Sequence, residues 1–307
     1  MTVSTKIDTK TAAPPEPSAN EPSTDEPSAN EIVPGKGAGD ENFPVGSFLI
    51  ARELRPHVTA YYNFARAIDD IADDASAPVK QKIADLKAMD EALAHGHGQD
   101  QPQLAKAHIL RATMLERDIN LAHGRNLIIA FIQDCNKNRY NTWAELMGYC
   151  INSASPVGRF LLELHGEDPA HFRQSDALCN ALQVINHLQD CKQDFNDLDR
   201  SYLPGIWLRA AGEKPQSVTS DAASPALRAV LDKCLAATRE LLDEAKLLPG
   251  LLYSRRLAME SAVIIDIACK LVDELENRDP VAERVELGKT QYIASTLSGA
   301  WSGFWRH

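Results

Sequence analysis

From Phe43 onward, proline and glycine stand between long segments, and within those segments apolar residues recur at helical spacing. Strand-like alternation is scarce. The pattern predicts helices over 46–74, 79–94, 103–118, 121–137, 141–152, 156–165, 174–197, 224–247, 250–276 and 281–296. Pro78, Pro102, Pro169, Pro225, Pro249 and Pro280 fall close to the predicted starts, where a missing N–H costs a helix nothing. The stretch AHGHGQDQP (94–102) reads as a solvated loop, preferred over a histidine metal site. Residues 43–307 are therefore expected to form a single all-α domain, larger than a simple four-helix bundle.

Residues 1–42 are of another kind. They carry six of the 17 prolines, the near-repeat EPSANEPSTDEPSAN and no aromatic residue before Phe43. Eight acids against three bases give the segment a net −5 of the chain's −11. It has too little apolar surface to offset its ordering entropy, and we expect a disordered, acidic, Pro/Ser-rich tail. The overall negative charge argues against a general nucleic-acid binder. No 18-residue apolar run exists to cross a membrane, and the first residues lack the apolar core of a secretory signal. Six cysteines without metal-like spacing are read as reduced thiols of a cytoplasmic protein.

Two segments carry candidate chemistry. In ARAIDDIADD (65–74), Asp69 and Asp73 lie four apart and share one helix face, with Asp70 and Asp74 about 100° around it. In NHLQDCKQDFND (186–197), Asp190 and Asp194 repeat the spacing. Solvated acidic faces are the rival reading. Against it, like charges at this spacing destabilise a helix unless neutralised. The flanking residues are also apolar (Tyr61, Phe64, Ile68; Leu182, Val184, Ile185, Leu188), as in buried helices. Two facing carboxylate pairs suit a hard divalent cation such as Mg²⁺, which is commonly shared between one or two carboxylates and substrate phosphates. Zinc would call for the His or Cys ligands that these spacings lack. Such a metal would neutralise a diphosphate leaving group as its C–O bond breaks.

At these residues the chain resembles the squalene/phytoene synthase family, from about Asn42 to at least Met259. Asp69-Asp70-Ile71-Ala72-Asp73 and Asp190-Cys191-Lys192-Gln193-Asp194 are similar to that family's two aspartate-rich motifs. Tyr149-Cys150, followed by Ser153-Ala154-Ser155-Pro156-Val157-Gly158, resembles its middle motif, and Arg200-Ser201-Tyr202-Leu203-Pro204 its ending after the second aspartates. The resemblance implies the class I isoprenoid synthase fold, a helical domain around a central cavity. It implies two or three Mg²⁺ ions held by Asp69, Asp73, Asp190 and Asp194 and bridged to a substrate diphosphate. ENFPVGSFLIARELRPHVTAYYNFARAIDDIADD, SASPVGRFLLELHG and NHLQDCKQDF are closest to the hydroxysqualene-forming branch of the bacterial hopanoid pathway. That branch implies presqualene diphosphate and water as substrates, hydroxysqualene and diphosphate as products, and coupling to the enzymes that make the one and reduce the other. No NADPH is expected, and no G-x-G-x-x-G loop follows a strand.

The same resemblance assigns Arg66 and Arg256 to the diphosphate, with Arg255 as the competitor of Arg256, and Arg200 and Tyr202 to substrate binding. An ion pair with Asp70 is the rival for Arg66. Gln183 and Asn186 precede Asp190 by seven and four residues, share its face, and are expected to line the site and hold the capturing water. Tyr62 and Tyr149 are expected to face the cavity, where aromatic faces stabilise a passing carbocation, although core packing is the default for any tyrosine. His187 is read as a satisfied core histidine ahead of a water-orienting one.

Trp301, Phe304 and Trp305 suit a peripheral contact with a membrane interface, docking on the domain being the alternative. Two rival functions stay open: head-to-head condensation of farnesyl diphosphate on the same fold, and a non-catalytic assembly factor. The second should have lost the aspartates, and all four are present.

Overall fold

The fold is that of a computed structural model, which describes residues 50–288. The tail assigned to 1–42 and the aromatic cluster Trp301, Phe304 and Trp305 lie outside the described residues. Among the described residues the architecture is all-α, with a lone backbone bridge between Arg139 and Ser201 and no strand. The helices are α1 (Arg55–Asp73), α2 (Val79–His95), α3 (Ala105–Glu116), α4 (Ala122–Asp134), α5 (Trp143–Ser153) and α6 (Ser155–Leu164). They continue with α7 (Phe172–Gln189), α8 (Cys191–Leu198), α9 (Gly205–Ala210), α10 (Pro225–Ala245) and α11 (Arg255–Asn277).

Three departures from the sequence pattern bear on the site. The first helix begins at Arg55, later than expected, because Pro56 in its first turn has no N–H to donate and its ring would clash with a preceding turn. The helix predicted over 174–197 divides at Asp190, which closes α7 and opens α8 with φ −101° and ψ 10°. The Asp194 N–H still donates to the Asp190 carbonyl at 2.8 Å, so the one-turn spacing of the two aspartates survives the break. No helix forms over residues 281–288. A turn at Asp279 leads instead into an irregular strap whose Val281 and Val285 are buried.

Elsewhere local chemistry fixes the ends. Thr142, Ser224 and Ser254 accept backbone hydrogen bonds from Glu145, Leu227 and Leu257 at the starts of α5, α10 and α11. Gly96 closes α2 in the left-handed region at φ 75°, opening the loop read from AHGHGQDQP. Two apolar clusters make the core. One gathers α1 to α4 with Phe160 and Leu164 of α6, and the other gathers α5, α7, α10 and α11. Glu167, between α6 and α7, accepts from the Tyr253 and Ser254 N–H groups at 2.7 Å each. The starts of α7 and α11 are thereby joined at one end, while the strap after α11 meets Asp190 at the other.

No helix among the described residues is long and apolar enough to cross a membrane. All six cysteines are free thiols.

Candidate active site

Between α1, α6, α7 and α11 lies an apolar cavity of about 310 Å³. Val58, Phe131, Leu161, Leu178 and Ile264 line it, together with Tyr62, and Arg66 and Asp69 stand on its wall as charged groups. The α1 residues reach it because positions 58, 62, 65, 66 and 69 follow one helical stripe. Apolar walls bordered by a guanidinium and a carboxylate suit a ligand with a hydrocarbon body and an anionic head.

Arg66 clasps the first motif. Its guanidinium donates to Asp69 Oδ2 at 2.6 Å and to Asp70 Oδ1 at 3.0 Å, so the ion pair with Asp70 that was the rival reading is formed. Burial, then the neighbouring Asp73 charge, raises the Asp69 carboxyl to about 6. The second motif behaves alike. Burial and then Asp190 push Asp194 up to about 7, with Asp73 adding to the effect and Arg200 opposing it. Burial also raises Asp190, against the pull of Arg284.

Arg200 stands between the motifs. Its Nη2 lies 3.5 Å from Asp73 Oδ1 and 3.4 Å from the Asp134 carbonyl. The backbone holds it there: Arg200 N–H donates to the Asp194 carbonyl at 3.1 Å, and Ser201 N–H to that of Asn138 at 3.0 Å. Asp199, in the left-handed region at φ 47°, supplies the sharp turn out of α8.

Behind Arg200 is a polar aromatic layer. Tyr202 stacks on His187 at 3.4 Å, and the Tyr149 and Tyr140 rings complete the group. Tyr149 Oη donates to Asp134 Oδ2 at 2.8 Å. Burial raises both Tyr149 and Tyr202 well above the usual phenol range and lowers His187 to about 3, so the imidazole is neutral. Gln183 Nε2 meets His187 Nε2 at 3.2 Å.

Several placements correct the sequence reading. Tyr149 packs in this buried layer with its hydroxyl on Asp134, where an interior carboxyl needs a donor, and does not line the apolar cavity. Gln183 and Asn186 do not stand on the wall of this cavity; each lies one turn beyond a residue that does, Cys179 and Leu182, on the half-buried stripe of α7 that runs on to Asp190. Arg256 is exposed in the first turn of α11. Twenty-one residues of helix, roughly 31 Å of axis, separate it from Asn277 and the strap beside Asp190. The structure therefore does not bring it to the second motif. Two residues escaped sequence reasoning. Asp134 closes the apolar run LIIAFIQD, a lone charge that could have drawn attention; Arg284 lies where a helix was expected.

Among the described residues, no three Asp, Glu, His or Cys groups converge as a ready metal cage. The donor chemistry nonetheless fits Mg²⁺. The groups are carboxylates, burial and mutual repulsion favour a cation beside them, and this ion needs only one or two protein carboxylates when phosphates and water complete its shell. Guanidinium groups from Arg66, Arg200 and Arg284 partner Asp69, Asp73 and Asp190.

Comparison with known proteins matches residues 37–291 to the squalene/phytoene synthase family model. The chain belongs to the squalene/phytoene synthase family. A hydroxysqualene synthase from Zymomonas mobilis is 41% identical over 271 residues, 88% of this chain and 90% of that protein. One from Rhodopseudomonas palustris is 40% identical over 273 residues, 89% and 92%. The crystal structure of squalene synthase HpnC from Alicyclobacillus acidocaldarius superposes with a TM-score of 0.68 at 30% identity, covering 76% of this chain and 87% of that one. A ligand-bound dehydrosqualene synthase gives the same TM-score at 17% identity and shares the fold. This squalene/phytoene synthase family member is thus an enzyme with the class I isoprenoid synthase architecture.

Proposed function

We propose that this enzyme converts presqualene diphosphate and water to hydroxysqualene and diphosphate, with Mg²⁺, on a route to squalene and hopanoids. The observation that carries the reading is the apolar cavity bordered by Arg66 and Asp69, in a chain matched nearly end to end by hydroxysqualene synthases. The cavity takes the hydrocarbon arms. Arg66 and Arg200 offer guanidinium groups to the diphosphate, and Asp69, Asp73, Asp190 and Asp194 would hold the metal. Bound there, Mg²⁺ supplies charge neutralisation of the leaving group. Tyr62, on the cavity wall, presents an aromatic face that steadies the carbocation as it rearranges. Water then forms the new C–O bond and releases its proton.

The test is product analysis with purified protein and presqualene diphosphate, with and without Mg²⁺ and NADPH. We expect an alcohol whether or not NADPH is added, no turnover without a divalent cation, and at least about a hundredfold loss in Asp69→Asn, given the several kcal/mol a catalytic metal supplies. Squalene formed only when NADPH is present, or products formed from farnesyl diphosphate as readily as from presqualene diphosphate, would overturn the reading.

A further inference from the structure

Among the described residues, two carboxylates stand on the wall of the apolar cavity: Asp69, clasped by Arg66, and Glu260 of α11. Glu260 is 7% exposed and lies between Leu257 and Ile264, which line the same space. Positions 257, 260, 261 and 264 make one helical stripe, so α11 brings Glu260 and Ser261 to the cavity together with its apolar wall. Ser175, also buried, reaches it from α7. Seventeen residues of α11, roughly 26 Å of axis, run from Glu260 to Asn277 and the strap beside Asp190. Ser175 stands fifteen residues, roughly 22 Å, ahead of Asp190 along α7. The cavity thus carries polar groups on its α7 and α11 walls that are remote, along both helices, from the second aspartate motif.

We propose that Glu260 is a catalytic residue for water capture: its carboxylate holds the water that attacks the carbocation and takes the proton that the new alcohol must lose. The inference rests on the reading of the reaction above. Gln183 and Asn186, expected to hold this water, are off the cavity wall, whereas Glu260 is on it. A carboxylate offers about four acceptor sites, so it can hold a water whatever else it binds. The Ser261 hydroxyl, next in sequence on the same wall, offers a second of the partners that a water enclosed by apolar side chains needs. The water oxygen supplies the electron pair of the new C–O bond. The resulting oxonium passes one proton to the Glu260 carboxylate, leaving an alcohol and a carboxylic acid, and the acid returns that proton to solvent once the product departs. Where no such acceptor holds a water, the cation loses a neighbouring C–H proton to the released diphosphate and becomes an alkene.

The test follows the ratio of alcohol to hydrocarbon formed from presqualene diphosphate and Mg²⁺ by the full chain, in wild type, Glu260→Gln and Glu260→Leu, with melting curves to show that each is folded. Wild type should give the alcohol. Glu260→Leu keeps the wall filled and removes the acceptor, and should lower the ratio at least about tenfold, as loss of a hydrogen bond to a charged group predicts. Glu260→Gln can still accept from the water but takes no proton, and should fall between the two. Should Glu260→Leu not fold, Glu260→Gln, nearer in shape, decides alone, and its own failure to fold would make Glu260 a structural residue and overturn the proposal. Folded variants that keep the wild-type ratio, or that lose turnover with no hydrocarbon appearing, overturn the role of Glu260 alone. A wild type that makes no alcohol overturns the reading of the reaction itself.

Discussion

Arg200 lies six residues beyond Asp194, yet its guanidinium reaches 3.5 Å from the Asp73 carboxylate on the opposite helix. With it, the first and second aspartate motifs share one positive charge. Asp69, Asp134 and Asp194 all feel that charge, which opposes the rise that burial imposes on each. The side chain is only 11% exposed.

Arg200→Met should therefore cost more than an exposed ion pair would. Removing one partner of a buried charge group leaves the others uncompensated, typically about 3 kcal/mol. Urea unfolding at pH 8 in EDTA should show a loss of that order. Adding Mg²⁺ should restore part of it, since a cation can replace the lost charge. A midpoint within error of wild type would contradict this account of the site.

Deleting residues 1–40 should leave the melting temperature and turnover unchanged. The segment has net negative charge, no aromatic residue and few apolar ones, so it has no face that would stabilise the domain by docking. Calorimetry and steady-state kinetics on the shortened chain check this; a fall of several degrees would show that the tail contributes to the fold.

The helices were legible because their apolar stripes are long and their ends carry proline, serine or threonine, as at Pro225 and Ser254. The aspartates were legible for the same reason, since i,i+4 spacing survives as geometry even where α7 breaks at Asp190. What escaped was decided by contacts distant in sequence. Residues 281–288 have apolar positions compatible with a helix, but Val281 and Val285 find burial against the α7–α8 junction, and Lys192 and Gln189 satisfy their carbonyls. Tyr149 looked like a cavity wall from its motif. Its hydroxyl is claimed by Asp134, fifteen residues earlier, and no local pattern announces that pairing.

Asp134 predicts a pH dependence with a defined sign. Burial raises its carboxyl from 3.8 to about 6, although Arg200 and the Tyr149 hydroxyl pull it down. Between those values the folded protein holds a proton that the unfolded chain releases, so this group's contribution to stability falls as pH rises from about 4 to 6 and is level above. Asparagine cannot ionise and can still accept from Tyr149. The melting temperature of Asp134→Asn relative to wild type should accordingly be more favourable at pH 8 than at pH 5. Asp69 and Asp194 shift in the same direction in both proteins and largely cancel in the difference. An equal difference at both pH values would show that Asp134 does not titrate in this window.

Gly158, in the middle motif, shows why a small residue is required there. It sits in α6 facing α7, and a Cβ at this position would lie 2.3 Å from Ser175 Oγ and 2.7 Å from Cys179 Sγ. Two effects oppose one another in Gly158→Ala. Alanine favours a helix by about 1 kcal/mol, while forcing an extra carbon into a packed interface costs about 1–3 kcal/mol. Ser175 is buried and the contacts are well inside van der Waals distance, so the packing cost should win. We expect a net loss of about 1 kcal/mol in denaturant unfolding, with weaker substrate binding because Gly158, Ser175 and Cys179 all line the apolar cavity. The decisive control removes the obstructing atoms. In a Ser175→Ala, Cys179→Ala background, the same Gly158→Ala change should become neutral or stabilising, leaving only its helix propensity. If alanine at 158 remains equally costly there, close approach of α6 and α7 is not the reason for the glycine.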